Sequence, residues 1–402
     1  MIYFQSKISN LRIASLIFAF MLFVFYAQPV NAQYKKLHQR AVVIDTHNDI
    51  LEKCFDKKLS FDQDLRGKTH SDLNRFKQGG VDVQIFSIWC DGKQVNPYAY
   101  ANQQIDTLYA TANRNPDRMQ IVFNSWGLKK TVRTNKLAAM IGIEGGHMIE
   151  NDISKLDSFY NRGARYMTLT WNNPTPWATS ALVETRDSLL KQPKGLNDFG
   201  RNVVKKMNQL GIMVDLSHVG EQTFWDAINV TTKPVLVSHS CVYTLCPVFR
   251  NLKDDQIKAV GINGGVIHLN FYSGFLDSTY NKKDAAFSKL HKKEKDSLLK
   301  INPEPYYAND ILYEKYEDEV VAMKAPFNLL FDHIDYIVKM IGVDHVGLGS
   351  DFDGINSTPQ LLNGVKDFPL ITKELLARGY SKKDIRKILG ENFLRLLRSN
   401  ER

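Results

Sequence analysis

The run Ala41-Val42-Val43-Ile44 is followed at once by Asp45-Thr46-His47-Asn48-Asp49. A short β-branched run reads as a buried strand, and the polar residues after it as a strand tip reaching a site. Side chains alternate along a strand, which places His47 and Asp49 on one side. An imidazole beside a carboxylate can hold a divalent metal, whereas Asp, Asn and Thr also favour plain hydrogen-bonded turns. The rest of the chain decides between the two.

Seven further apolar runs end in polar or glycine residues, at 81–88, 137–143, 164–170, 211–217, 234–238, 264–270 and 345–350, the first spanning 41–46. Helical periodicity separates most of them. Asn197 can cap a helix carrying Phe199, Val203, Met207 and Leu210 on one face, stopped by Gly211. Pro97 suits a first helical turn, and Phe327 to Ile341 carries an apolar stripe ending at Gly342. Helices over Phe368 to Arg378 and Ser381 to Arg398 would cover the outside, with Asp384 three residues after Ser381. Strands alternating with helices imply a parallel sheet, and eight repeats imply an α/β fold closed into a (β/α)8, TIM-type barrel.

The N-terminus is read apart from that domain. Lys7 and Arg12 precede the apolar stretch Ile13 to Tyr26, and Pro29-Val30-Asn31-Ala32 ends in small residues. That is the pattern of a signal peptide over 1–32, cleaved before Gln33. The apolar stretch is shorter than the roughly 20 residues of a spanning helix, which favours cleavage over a retained anchor. The expectation is an exported protein, periplasmic or extracellular, with no stable membrane span and one catalytic domain over 33–402. The formal charge of +9 does not describe a basic face. Two of those charges leave with the leader, and Lys282 to Lys300 holds a local net +4, so no nucleic-acid surface is indicated. Cys54, Cys90, Cys241 and Cys246 are too few for a disulfide scaffold, and their pairing stays open.

In such a barrel, function sits at the C-terminal ends of the strands. The third run ends Glu144-Gly145-Gly146-His147, the fifth Asp215-Leu216-Ser217-His218, the sixth Ser238-His239-Ser240 and the eighth Ser350-Asp351-Phe352-Asp353. Together with His47 and Asp49, these are histidines and acids at five separate tips. Imidazole and carboxylate donors suit zinc, and one carboxylate can bridge two ions that hold a hydroxide between them. Two imidazoles plus a shared carboxylate would make one site; His47, Asp49 and the same carboxylate would make the other.

Six motifs resemble, in order and with similar spacing, the membrane (renal) dipeptidase family of metallopeptidases. They are Asp-x-His-x-Asp at 45–49, Glu-Gly-Gly-His at 144–147, Asp-Leu-Ser-His at 215–218, Ser-His-Ser at 238–240, Leu-Asn-Phe-Tyr at 269–272 and Gly-Ser-Asp-Phe-Asp-Gly at 349–354. The resemblance implies a (β/α)8 metallohydrolase with two Zn2+ ions that cleaves dipeptides. It casts His47 and Asp49 as ligands of one zinc, His218 and His239 as ligands of the other, and Glu144 as the bridge. It makes Arg250 the carboxylate-binding arginine, Tyr272 a substrate contact and Asp351 the acid that handles the proton and the substrate's amino group. Those last roles suit a dipeptide, whose two free ends need a cation and an anion. His147 is at most a neighbour of the ligands, and Asp215 can orient an imidazole.

Much of that family carries a histidine where this chain has Trp171, at a position that contacts substrate. Tryptophan supplies a stacking face and one N–H donor but cannot titrate. Either the change is tolerated among bacterial members, or the substrate or rate is altered. Two other readings are an amidohydrolase or lactonase acting on a non-peptide substrate, and a metal-stabilised binding protein without turnover. Finally, about 273–325 separates the seventh and eighth runs by far more than a usual connection. A lid, a homodimer contact or a solvated insertion would each fit it.

Overall fold

A computed structural model describes residues 33–402 apart from 187, 189 and 304, together with the side chains of 305 and 306. The leader assigned to 1–32 lies outside the described residues. No described helix is long and apolar enough to cross a membrane.

The apolar runs become strands β1 (Ile44–Asp45), β2 (Val83–Trp89), β3 (Met119–Ile121), β4 (Leu137–Glu144), β5 (Ala164–Thr168), β6 (Met213–Asp215), β7 (Leu236–Ser240), β8 (Val266–Leu269) and β9 (Val346–Leu348). Eight of them pair in parallel in the order β1-β2-β4-β5-β6-β7-β8-β9. The short β3 was not anticipated, and it pairs with β4 off that path. Between β9 and β1 the backbone closes through Thr46 N to Leu348 O (3.1 Å) and Asp351 N to His47 O (3.1 Å). The Asp45 carboxylate adds bonds from Ser350 N (2.7 Å) and Ser350 Oγ (2.6 Å). The result is a nearly closed (β/α)8 barrel, as the alternation of runs and helices predicts.

Strand alternation sorts the side chains into two cores. Ile44, Val83, Ile85, Ala138, Met140, Tyr166, Met213, Leu236 and Val266 fill the barrel, and Phe393, Leu396 and Leu397 of the last helix plug its lower end. The intervening residues, Phe86, Ile88, Ile141, Ile143, Met167, Val214 and Val237 among them, pack outward against the helices. Asn197 caps the helix Asp198–Leu210 through Gly200 N, and Gly211 ends it at φ 81°. The C-terminal helix expected over 381–398 is instead Lys382–Arg386 and Asn392–Asn400, with a wide turn over Lys387–Glu391 between them. There Gly390 passes so close to β1 that a Cβ would lie 2.3 Å from Val42 O. Among the described residues, the chain between β8 and β9 includes helices Ser273–Leu276, Tyr280–Leu290, Lys292–Ile301, Pro305–Lys315 and Glu317–Met323. The second, fourth and fifth of these share a small core of Tyr280, Phe287, Leu312, Tyr313, Val320 and Met323. All four cysteines are buried and unpaired.

At the lower end of β2, the Asp82 carboxylate accepts a bond from Val43 N (2.9 Å), and burial pushes its pKa from 3.8 up to about 6. The folded chain therefore holds this proton more tightly than the unfolded one, so the stabilisation is complete below about pH 4 and is lost as pH rises through 6. Asp82→Asn should melt progressively later than the parent between pH 4 and 7; a melting difference independent of pH would contradict this.

Candidate metal centre

Five side chains meet at the upper mouth of the barrel, all buried. Glu144 stands at the end of β4 beside Ser87 of β2, whose Oγ donates to its Oε2 (3.2 Å). His47 Nε2 lies 3.3 Å from Oε2 and 3.6 Å from Asp49 Oδ2. On the other oxygen, Oε1, His218 Nε2 approaches to 2.9 Å and His239 Nε2 to 3.5 Å. One carboxylate is thus shared between two sets of donors.

The local backbone differs from a simple strand tip. β1 ends at Asp45, but the chain beyond it stays paired on both sides, through Ser87 N to Asn48 O (3.0 Å) and a parallel bridge between Asn48 and Phe352. This extension brings His47 and Asp49 to the mouth before the helix Ile50–Asp56 begins. The pairing of β7 with β8 shifts register between Val237 and Ser240, which turns His239 toward the mouth. His218 and Asp351 adopt left-handed backbone conformations, φ 64° and 61°. Such residues are uncommon outside glycine and concentrate at functional sites.

The remaining nitrogens fix each ring. The Tyr166 hydroxyl donates to Thr46 O (3.2 Å), so it accepts from His47 Nδ1 (2.9 Å). His218 Nδ1 donates to Asn172 Oδ1 (3.0 Å). Ser238 Oγ donates to Asp215 Oδ2 (2.6 Å) and so accepts from His239 Nδ1 (2.8 Å). With each Nδ1 carrying a proton, the Nε2 atoms of His218 and His239 present lone pairs to the centre, and His47 Nε2 would do so on giving its own proton up to a cation. Asp215 also takes Thr168 Oγ1 (2.6 Å) and Ser238 N (2.8 Å). It therefore orients His239 through Ser238, rather than the adjacent His218.

Burial holds His239 well below its ordinary pKa and His218 down at about 3, which keeps both imidazoles neutral. Burial also lowers His47, but Tyr166, Glu144 and Asp49 outweigh it and raise the group well above its usual range. His218 Nε2 and His239 Nε2 lie only 3.0 Å apart. His47 Nε2 and Asp49 Oδ1 are buried without a hydrogen-bond partner. Lone pairs crowded beside buried carboxylates repel one another unless a cation lies among them, so the donor set fits divalent metal. Among the described residues, His47, Glu144 and His239 form one group spaced to hold an ion; His47, Asp49 and Asp351 form another.

Around this centre, Asp351 is half-buried, and Asn270 Nδ2 donates to its Oδ2 (2.7 Å). Arg250 is buried, with one amino group 3.4 Å from His239 O; burial pulls its pKa down to about 10, so it keeps its charge at neutral pH. Tyr272 is half-buried at the tip of β8, its N bonded to Asn270 Oδ1 (2.6 Å). Trp171 is half-buried with its ring 6.3 Å from His218 and 5.0 Å, edge-on, from Trp89. His147 contacts Cys90 Sγ (3.4 Å) and touches none of the five. Tyr166, Asn172, Ser238, Asn270 and Ser87 were missed as site residues by the sequence reading. Ser238 and Asn270 stand inside motifs already quoted, whereas the others had only proximity to strand ends as a signal.

A model of the membrane dipeptidase family, peptidase family M19, matches residues 31–402. The chain belongs to the membrane dipeptidase family. The dipeptidase resembles a Schizosaccharomyces pombe protein described as an uncharacterized dipeptidase, 32% identical over 389 residues that cover 92% of this chain and 83% of that one. Its fold matches the probable dipeptidase PvdM of Pseudomonas aeruginosa with TM-score 0.75 and 23% identity, covering 93% and 99% of the two chains. It also matches a Rhodobacter sphaeroides metallo peptidase liganded with a phosphinate mimic of the dipeptide L-Ala-D-Ala, with TM-score 0.71 and 23% identity over 90% and 99%. Family membership makes this barrel a hydrolytic dipeptidase, and the family's metal dependence accords with the donors gathered at its mouth.

The Tyr166 ring rests on Gly142, where any Cβ would lie 2.0 Å from it. Tyr166→Phe keeps that packing and removes only the bond to His47. It should weaken metal binding by about 10- to 100-fold in competition with a chelator; unchanged metal affinity would show that the hydroxyl does not orient the ligand.

Proposed function

We propose that this protein is an exported dizinc dipeptidase, in which Glu144 bridges the two ions. His47 and Asp49 would hold one ion with Glu144, and His218 and His239 the other. The observation that carries this is the division of Glu144, with Oε2 facing His47 and Oε1 facing His218 and His239. Zinc fits the imidazole and carboxylate donors, and bound there it would supply an activated water and polarise the scissile carbonyl.

The chain's own groups do the rest. Arg250 offers a fork of donors for the substrate's carboxylate, and no described acid pairs with it. Asp351 takes the substrate's ammonium group or passes a proton to the leaving nitrogen, held in aim by Asn270. Tyr272 borders the substrate from the tip of β8. Trp171 gives that side of the mouth an apolar wall with one N–H donor, and no proton can be exchanged there.

Purified protein should release both amino acids from dipeptides, and a chelator should stop it. Glu144→Gln should lower kcat by at least about a thousandfold and reduce the zinc content below two per chain. A dipeptide whose carboxylate is amidated should lose about a hundredfold in kcat/KM through the unpaired Arg250. Equal turnover of acid and amide, or preferred turnover of a lactone, would favour the non-peptide amidohydrolase reading. Tight binding without turnover in zinc-replete protein would favour a binding protein.

A further inference from the structure

A buried guanidinium is ordinarily held by a carboxylate. Arg250 is not: its contacts are His239 O at 3.4 Å and the ring face of Phe275, 5.4 Å from the guanidinium carbon. Phe275 belongs to the helix Ser273–Leu276, where the long segment between β8 and β9 begins. Its ring stands edge-on to Tyr272 (5.0 Å, 89°), and Tyr272 stands edge-on to Tyr280 (5.5 Å, 71°). Tyr280 is fully buried in the small core of that segment, with its hydroxyl 3.3 Å from that of Tyr313, which in turn donates to Asp284. Asn251 Nδ2 ties the same helix to the Arg250 loop through Phe275 O (2.9 Å).

We propose that Phe275 is a positioning residue for Arg250. On this view, the helical segment over 273–325 braces the carboxylate end of the substrate site through the rings of Phe275, Tyr272 and Tyr280. The inference rests on the reading of Arg250 as the carboxylate-binding group. The physical reason lies in what the ring does not do. A carboxylate beside Arg250 would compete with the substrate's own carboxylate for the same donors. An aromatic face attracts the cation through its quadrupole and leaves the N–H fork free. The edge-on contacts then fix the ring against a core outside the barrel.

Phe275→Leu keeps apolar bulk and removes the ring. It should raise KM for a free dipeptide by about threefold to thirtyfold, with kcat changed less than about twofold. The preference for the free dipeptide over its carboxyl amide should narrow by the same factor. Phe275→Tyr should restore both, and Tyr280→Leu, one ring further out, should move them the same way as Phe275→Leu. An unchanged acid-to-amide preference in metal-loaded Phe275→Leu, or in Tyr280→Leu if the first does not fold, overturns the proposal. So does an equal loss on acid and amide. Parent protein that treats acid and amide alike overturns the Arg250 reading itself, and the inference with it, before any variant is compared.

Discussion

Everything at the mouth of this barrel depends on Glu144 having its two oxygens claimed by different donors. His47 Nε2 faces Oε2; His218 and His239 face Oε1. A buried carboxylate is costly unless positive charge meets it; His47 is drawn toward its charged form here, whereas His218 and His239 are held neutral and do not meet Oε1 by themselves. The donor set suits a bound cation, and each ring is fixed for one from behind. Tyr166, Asn172 and Ser238 occupy the Nδ1 atoms, so the choice of tautomer is made by groups well away from any ligand.

That precision has a cost in backbone conformation. His218 and Asp351 both sit at positive φ, where an L-residue gives up on the order of 1 kcal/mol. The surroundings over-determine them. The carbonyl of His218 accepts from Ala181 N, and Asp351 N donates to His47 O across the closure of the barrel. Strain is therefore borne by a frame of short parallel strands plugged from below by Phe393, Leu396 and Leu397. The loops above can be irregular because the sheet beneath them is not.

This division explains what could be read from the chain. The eight apolar runs and the polar residues ending them were legible because strand burial and strand tips leave a local pattern. The donor residues were legible for the same reason. The mechanism that brings them together was not. His47 and Asp49 lie on a paired extension of β1, but His239 arrives beside a register shift and His218 through a left-handed residue, and neither of these follows from alternation. Tyr166 looked like one more apolar strand residue, because its role depends on Gly142 of the neighbouring strand β4 and on His47, both distant in sequence. β3 escaped because three residues, one of them exposed, carry no periodicity. The turn at Gly390 depends on Val42 O, a contact spanning nearly the whole chain.

Trp171 carries the last step. Around the barrel, β5 lies opposite β9, so the ring at the end of β5 looks across the mouth toward the loop that holds Asp351. Trp171 abuts His218 and Trp89, and neither its face nor its N–H can move a proton at neutral pH. Under the dipeptidase reading, acid–base duty then falls on the β9 side alone, where Asn270 fixes one oxygen of Asp351 and leaves the other free. On that reading the two sides of the mouth would divide their labour, with aromatic rings at the end of β5 and a titratable carboxyl beyond β9.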